Sequence, residues 1–299
     1  MRNVDTGFHP SGLSRPDWPR AVLGEGPLWN PQTFRLWWVD CDQKKLFSLN
    51  PQTDEVVTKL LPSAPGSYAF RRSGGIIMAF RNKLALYGSD GEIERIVETP
   101  MLDFAVERFN DGACDRKGRF WVGTMDPKMG RPTGSLYRID TDLSITRMQE
   151  GITVGNGLTF SPDDKIMYHT DSRVSKIYAY DFDLAAGTIS NRRIHLDFTN
   201  AEGRPDGCTI DEEGYLWVAV IELGAVVRFS PDGKEVDRID LPITRPTSVM
   251  FGGTDLRTLY ITSMKHALSQ EELEQQPLAG CLLSVRTKQR GLPEPFFGG

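Results

Sequence analysis

Three residues far apart in the chain, Glu25, Asn156 and Asp206, occupy the same point of a recurring phrase. Two are acidic and one is a neutral amide. Such an all-oxygen set suits one hard or borderline divalent cation (Ca, Mg, Mn, Zn or Fe(II)), with water completing its shell. The phrase is clearest at Pro205-Asp206-Gly207-Cys208-Thr209-Ile210-Asp211, Asn110-Asp111-Gly112-Ala113-Cys114-Asp115 and Gly155-Asn156-Gly157-Leu158-Thr159-Phe160. Any one Asp-Gly or Asn-Gly is an ordinary turn dipeptide. It is the shared register of three oxygen donors that points to a metal site. None of the four histidines, His9, His169, His195 and His266, falls on this register, so a histidine-built zinc site is not expected.

The elements that must position these donors can be read from the residues downstream of each phrase. A turn comes first, then a short apolar strand: Leu216-Trp217-Val218-Ala219, Phe120-Trp121-Val122-Gly123 and Ile166-Met167-Tyr168-His169. Aligning on such strands adds three further units, before Leu36-Trp37-Trp38-Val39, Ile76-Ile77-Met78-Ala79 and Leu259-Tyr260-Ile261-Thr262. The register positions become 25, 66, 111, 156, 206 and 247, with gaps of 41, 45, 45, 50 and 41 residues. Short strands at that period predict an all-β, six-bladed β-propeller with four-stranded antiparallel blades around a central metal channel. A third strand is legible in every unit, for instance Lys45-Leu46-Phe47-Ser48-Leu49 and Cys281-Leu282-Leu283-Ser284-Val285, and Asn/Asp/Gly/Pro turns come after most of these third strands. A fourth is visible only in places, as at Val236-Asp237-Arg238-Ile239-Asp240-Leu241. The last unit carries an insertion, residues 269–275, with the pattern of one or two helical turns, and lacks an evident fourth strand. A segment within residues 1–20 is expected to supply it and close the ring, leaving residues 1–299 as one domain.

Composition narrows the function. With 299 residues, 39% hydrophobic content and a formal net charge of −5, the chain can bury a large core and lacks the basic patch that nucleic-acid binding needs. No apolar run approaches the roughly 18–20 residues of a membrane helix. The start of the chain, Met1-Arg2-Asn3-Val4-Asp5-Thr6-Gly7-Phe8, has no apolar core and does not read as a signal peptide. Cys41, Cys114, Cys208 and Cys281 stand singly, without C-x-x-C spacing, as expected of reduced thiols in a cytoplasmic protein. Oligomeric state leaves no mark on the sequence.

Several phrases occur in one order along the chain: Leu23-Gly24-Glu25-Gly26-Pro27-Leu28-Trp29, Arg108-Phe109-Asn110-Asp111-Gly112, Gly123-Thr124-Met125, Asn156-Gly157-Leu158 and Pro205-Asp206-Gly207. With Gly134-Ser135-Leu136-Tyr137-Arg138 and Tyr168-His169-Thr170-Asp171-Ser172, they resemble the senescence marker protein/gluconolactonase family of regucalcin-like sugar lactonases, and within it the bacterial aldonolactonases. The resemblance implies hydrolysis of a pentono- or hexonolactone, with a divalent metal held by Glu25, Asn156 and Asp206. It further implies that Asp206 handles the proton of the attacking water and that Arg108 and Asn110 bind substrate above the metal. Animal members place a Glu just after the Gly-Thr-Met phrase; here the stretch reads Asp126-Pro127-Lys128-Met129. Tyr68 could line the pocket in a manner particular to this subgroup.

Each assignment has a plainer alternative. Arg108 could serve a structural ion pair with Glu107 or Asp111, and Asn110 could cap its turn. Asp111 reads equally as a further contact to the cation through water and as a turn residue. Trp37, Trp121 and Trp217 are expected in the core between blades, and Asp171 in hydrogen bonds to backbone. Two other functions compete, a calcium-binding regulatory propeller and a phosphotriester or aryl-ester hydrolase. No G-x-S-x-G elbow supports a serine nucleophile.

Overall fold

Every unit inferred from the sequence is a separate antiparallel sheet in the computed structural model, which describes residues 18–299. The first blade comprises β1 (Gly24–Asn30), β2 (Arg35–Asp40), β3 (Lys45–Asn50) and β4 (Glu55–Leu60). The second holds β5 (Pro65–Phe70), β6 (Ile76–Phe80), β7 (Lys83–Tyr87) and β8 (Ile93–Val97), and the third β9 (Arg108–Cys114), β10 (Phe120–Met125), β11 (Gly134–Ile139) and β12 (Ile145–Ile152). Next come β13 (Gly155–Phe160), β14 (Ile166–Asp171), β15 (Lys176–Asp183) and β16 (Thr188–Asp197), then β17 (Arg204–Ile210), β18 (Leu216–Ile221), β19 (Ala225–Phe229) and β20 (Glu235–Asp240). The sixth blade has β21 (Pro246–Gly252), β22 (Thr258–Ser263) and, after the helix α1 (Gln270–Gln275), β23 (Leu283–Arg286). First strands of successive blades touch one another around the ring, β21 meeting β1. The fold is a six-bladed propeller.

Burial falls from the axis outward. All residues of β5, β13 and β21 are buried, whereas β4, β8 and β16 are mostly exposed. The apolar signal of the first three strands comes from packing between blades. Trp121 meets Phe160 and Phe182 edge-on, Trp217 meets Phe251, and the half-buried Trp37 meets Phe70 of the second blade.

The sixth sheet has three strands among the described residues. The expected closing strand falls within residues 1–20, of which 1–17 lie outside the described residues. The segment after them does join this blade: Ala21 donates its amide to Gly280 O at 2.7 Å, and Leu23 forms an antiparallel bridge with Met264. The insertion is helical as expected. Ser269 Oγ accepts from the Glu272 amide while Glu272 Oε2 accepts from the Ser269 amide, a reciprocal cap.

Buried aspartates tie blades and turns together. Asp171 accepts from the amides of Thr153 and Val154, at 2.8 and 3.0 Å, so the segment linking the third and fourth blades hangs on the fourth. Asp40 holds Val22 in the same way at 2.7 Å. At the opposite end, Asp115 takes the Trp121 indole N–H at 2.9 Å, and Asp211 takes that of Trp217 at 3.0 Å. Asp211 is fully buried and also pairs with Arg228 Nη2 at 2.7 Å. Removing Asp211 leaves Arg228 with only the exposed Glu213, whose Oε2 lies 2.6 Å from Nη2, and takes the acceptor from the Trp217 indole and the Tyr215 amide, losses that together are typically worth about 3–5 kcal/mol. Asp211→Ala is therefore expected to lose about that much in urea unfolding. A loss below about 1 kcal/mol would show that the existing Arg228–Glu213 pair and water make good what Asp211 supplies.

Candidate active site

The inner strands share one irregularity. Their pairing with the second strands slips between Glu25 and Leu28, Pro65 and Ser67, Asn156 and Leu158, Pro205 and Cys208, and Pro246 and Ser248. In the third blade the slip lies opposite Asn110 and Asp111. An extra residue in one strand bends it and re-aims the side chains beside it. All six bulges fall at the register where the oxygen donors were inferred, near the ends from which the inner strands start. We call that end the upper face.

Around the channel the donors are linked. Arg108 Nη1 donates to Phe109 O at 3.1 Å and to Asn110 Oδ1 at 3.0 Å. Asn110 Nδ2 donates to Gly155 O at 2.9 Å and to Asn156 Oδ1 at 2.6 Å. Asn156 Nδ2 in turn donates to Ser172 Oγ at 2.9 Å, and the Ser172 hydroxyl lies beside Asp206 and favours its ionised form. One polar chain thus runs from the third blade through the fourth to the fifth. Glu25 faces it from the first. Burial holds the Glu25 carboxyl well above its ordinary range, and Asp206 and Asp111 push it further. Asp206 is raised too, by burial and then by Asp111, against the opposing pull of Arg204 and Ser172.

The plainer roles for Arg108 and Asn110 are not those found. Among the described residues Arg108 makes no ion pair with Glu107, which is engaged by Thr124 Oγ1 at 2.5 Å and Tyr137 Oη at 2.9 Å. Nor does it pair with Asp111, whose Oδ1 accepts from the Gly112 amide at 2.8 Å. Asn110 crosses to the next blade rather than closing its own turn. Asp171 bonds backbone, as expected. All four cysteines are free and buried. Lys128 is exposed on the loop after β10, a loop organised by Asp126 through the amides of Lys128, Gly130 and Arg131.

Beneath the donors lies a chamber of about 30 Å³. Asp111, Tyr68 and Ser67 face it, with Glu294 from the end of the chain. The Tyr68 hydroxyl and Ser67 Oγ are buried without a protein partner, and burial pushes Asp111 up to about 6 and Glu294 up to about 7. Three larger hollows, of about 280, 300 and 530 Å³, include none of the donors. Sequence reasoning missed Ser172 and Glu294. Ser172 comes just after a legible strand but sits off the repeat register, and Glu294 lies beyond the last repeat.

The donor chemistry fits a hard cation. Glu25 and Asp206 are two desolvated carboxylates that repel one another, with the neutral Asn156 Oδ1 on the network between blades. Among the described residues, no three His, Cys, Asp or Glu side chains gather as a metal cluster by themselves. Any cation here therefore draws on the amide oxygen as well.

Residues 23–265 match the family described as SMP-30/Gluconolactonase/LRE-like region. The 6-deoxy-6-sulfogluconolactonase of Pseudomonas putida is 40% identical over 281 residues, which cover 93% of this chain and 96% of that protein. Regucalcin of Oryctolagus cuniculus is 34% identical over 283 residues, 92% of this chain and 95% of its own. The crystal structure of a calcium-binding regucalcin from Agrobacterium tumefaciens superimposes with a TM-score of 0.91 at 27% identity, covering 97% of both chains.

The bulge at Asn156 depends on its neighbour. Gly157 has φ +34°, and a Cβ there would lie 2.4 Å from Thr170 Oγ1 and 2.5 Å from Asp206 O. Gly157→Ala is expected to cost about 2 kcal/mol or more in urea unfolding and to shift the adjacent inner strands. Wild-type stability in that variant would mean that the fourth and fifth blades can separate locally, and that the bulge is not fixed by their contact.

Proposed function

The chain belongs to the SMP-30/gluconolactonase/LRE-like family, and from that premise we propose that it hydrolyses a sugar lactone, pentono- or hexono-, to the aldonic acid with the help of one divalent cation. Lactone hydrolysis is supported by the relative from Pseudomonas putida, named for that activity. The observation that carries the reading is the polar chain from Arg108 through Asn110, Asn156 and Ser172 to Asp206, with Glu25 opposite. Glu25, Asn156 and Asp206 would hold the cation. When bound, it would polarise the lactone carbonyl and acidify a water molecule.

The chain's own residues do the rest. Asp206 accepts a proton from the attacking water as the water oxygen adds to the carbonyl carbon. The ring C–O bond then breaks, and the same proton passes from Asp206 to the departing ring oxygen, leaving a hydroxy acid. Arg108 offers its free guanidinium donors to the developing oxyanion or to ring hydroxyls. Asn110 Oδ1 steadies Arg108, and Asn110 Nδ2 orients Asn156. Ser172 fixes the Asn156 amide by accepting from Nδ2, so that Oδ1 faces Asn110 and the channel. Free, buried cysteines suit a reducing compartment, and a cytoplasmic location is proposed on that ground. We take the whole chain to act as a single propeller domain.

Stripping divalent ions should lower turnover of aldonolactones by at least about a hundredfold, and restoring ions one at a time should recover it. Acid release by the stripped and reloaded protein decides the point. Full activity in protein verified as metal-free would remove the cation from the reaction.

Two variants separate the roles. Asp206→Asn is expected to reduce kcat by about 10²–10⁴. Arg108→Ala should leave the bound-ion content unchanged while lowering kcat/KM by about 10–100-fold. Elemental analysis with steady-state kinetics reads both. Loss of the ion in Arg108→Ala would move that residue from the substrate to the cation.

A further inference from the structure

A belt of charged side chains crosses the upper face from the third blade to the sixth. The Phe109 amide donates to Arg81 O at 3.1 Å, which seats Arg81, in the two-residue loop after β6, beside Arg108. Arg81 Nη2 donates to Asp42 Oδ1 at 3.0 Å, and His266 Nδ1 lies 2.8 Å from Asp42 Oδ2. Both oxygens of the belt's carboxylate are thus engaged by neighbours. The arginines are under-used by comparison. Arg81 Nε is buried with no partner, and Arg108 is held through Nη1 by two neutral oxygens, with no carboxylate partner among the described residues. Their proximity is electrostatically unfavourable: burial and the Arg81 charge together bring Arg108 down to about 10.

A neutral polyol needs hydrogen bonds but no second guanidinium. Two neighbouring arginines with spare N–H groups, and one aspartate already bound by Arg81 and His266, form a receptor for a planar or tetrahedral oxyanion. Arg108 also belongs to the network that reaches the proposed ligands, so an anion held on the Arg81 side of it lies toward the mouth, next to whatever ring the channel holds. We propose that Arg81 and Arg108 form a subsite for an anionic substituent on the exocyclic carbon of the lactone, a carboxylate, sulfonate or phosphate. The preferred substrates are then charged aldonolactones. The inference rests on the sugar-lactone reading, and Arg81 enters no step of the hydrolysis itself.

The test compares D-glucaro-1,4-lactone, which carries a carboxylate, with neutral D-glucono-1,4-lactone, in the wild type and Arg81→Gln. The wild type should favour the charged lactone by at least about tenfold in kcat/KM. Arg81→Gln should lose that preference and retain the neutral substrate within about twofold, and high salt should shrink the wild-type preference. Equal use of both lactones by the wild type, or a parallel loss of both in the variant, overturns the subsite. A second readout needs no turnover: thermal stabilisation by 6-phosphogluconate relative to gluconate. Stabilisation in the wild type that disappears in Arg81→Gln supports the subsite even if neither lactone is hydrolysed, in which case the lactonase reading alone falls. No extra stabilisation by the phosphate in the wild type overturns the subsite whatever the kinetics show.

Discussion

The site depends on how closely six inner strands approach one axis. A strand that ran straight would fill the channel with alternate side chains or hold the blades apart. The bulge solves both problems at the cost of a local break in pairing. It turns Glu25, Asn156 and Asp206 toward the axis, and a glycine beside it lets the next blade close in. At Gly207 a Cβ would lie 2.3 Å from Ser248 Oγ of the following blade, so the approach there leaves no room for a side chain. Ligand register and blade packing are therefore one constraint. That is why Asn156 and Asp206 fall next to glycine; beside Glu25, Gly26 makes only ordinary contact with Tyr68, and its φ of +55° is what favours glycine there.

That geometry gathers carboxylates that would otherwise avoid one another. Burial opposes the ionised forms of Glu25, Asp206 and Asp111, and repulsion adds to it at Glu25 and Asp206; Arg108 and Arg204 offset this only in part. The floor is closed. Arg72 donates its amide to Phe297 O at 2.8 Å, Gly298 donates to Gly118 O at 2.9 Å, and the Phe297 ring is fully buried. The chain's last residues thus cross the lower end and carry Glu294 into the chamber. Approach is left to the upper face.

The sequence revealed those parts of the fold whose packing repeats. First, second and third strands were legible because blade-to-blade burial demands apolar residues in each copy. The fourth strands carry no such demand and were mostly missed; Glu55–Leu60, for one, has no fully buried position. β23 begins two residues later than its apolar pattern suggested, because Cys281 and Leu282 are buried before the pairing starts. The donors were legible as repeats of one register. Ser172 and Arg81 were not, since each stands in a loop whose role is set by a neighbouring blade. Glu294 was invisible for a simpler reason: nothing in a linear repeat says which residues will return across the floor.

A propeller separates the reacting centre from what chooses the substrate. The proposed ligands sit on inner strands locked by packing, while the rim is built from loops that each blade supplies independently. The charge of that rim is set by a few positions. The stretch after Gly-Thr-Met presents Lys128, exposed, on a loop whose Asp126 is already occupied by three backbone amides. Across the mouth, Asp42 is likewise occupied, by Arg81 and His266. Both carboxylates thus already have partners, while Arg108 keeps donors to spare. A cation deep in the channel would add to this field rather than oppose it, since it acts on an approaching anion with the same sign. The same centre with a neutral or acidic rim would turn over uncharged lactones. Substrate charge, on this reasoning, turns on Arg81 and its loop neighbours beside Arg108, while the proposed ligands stay the same.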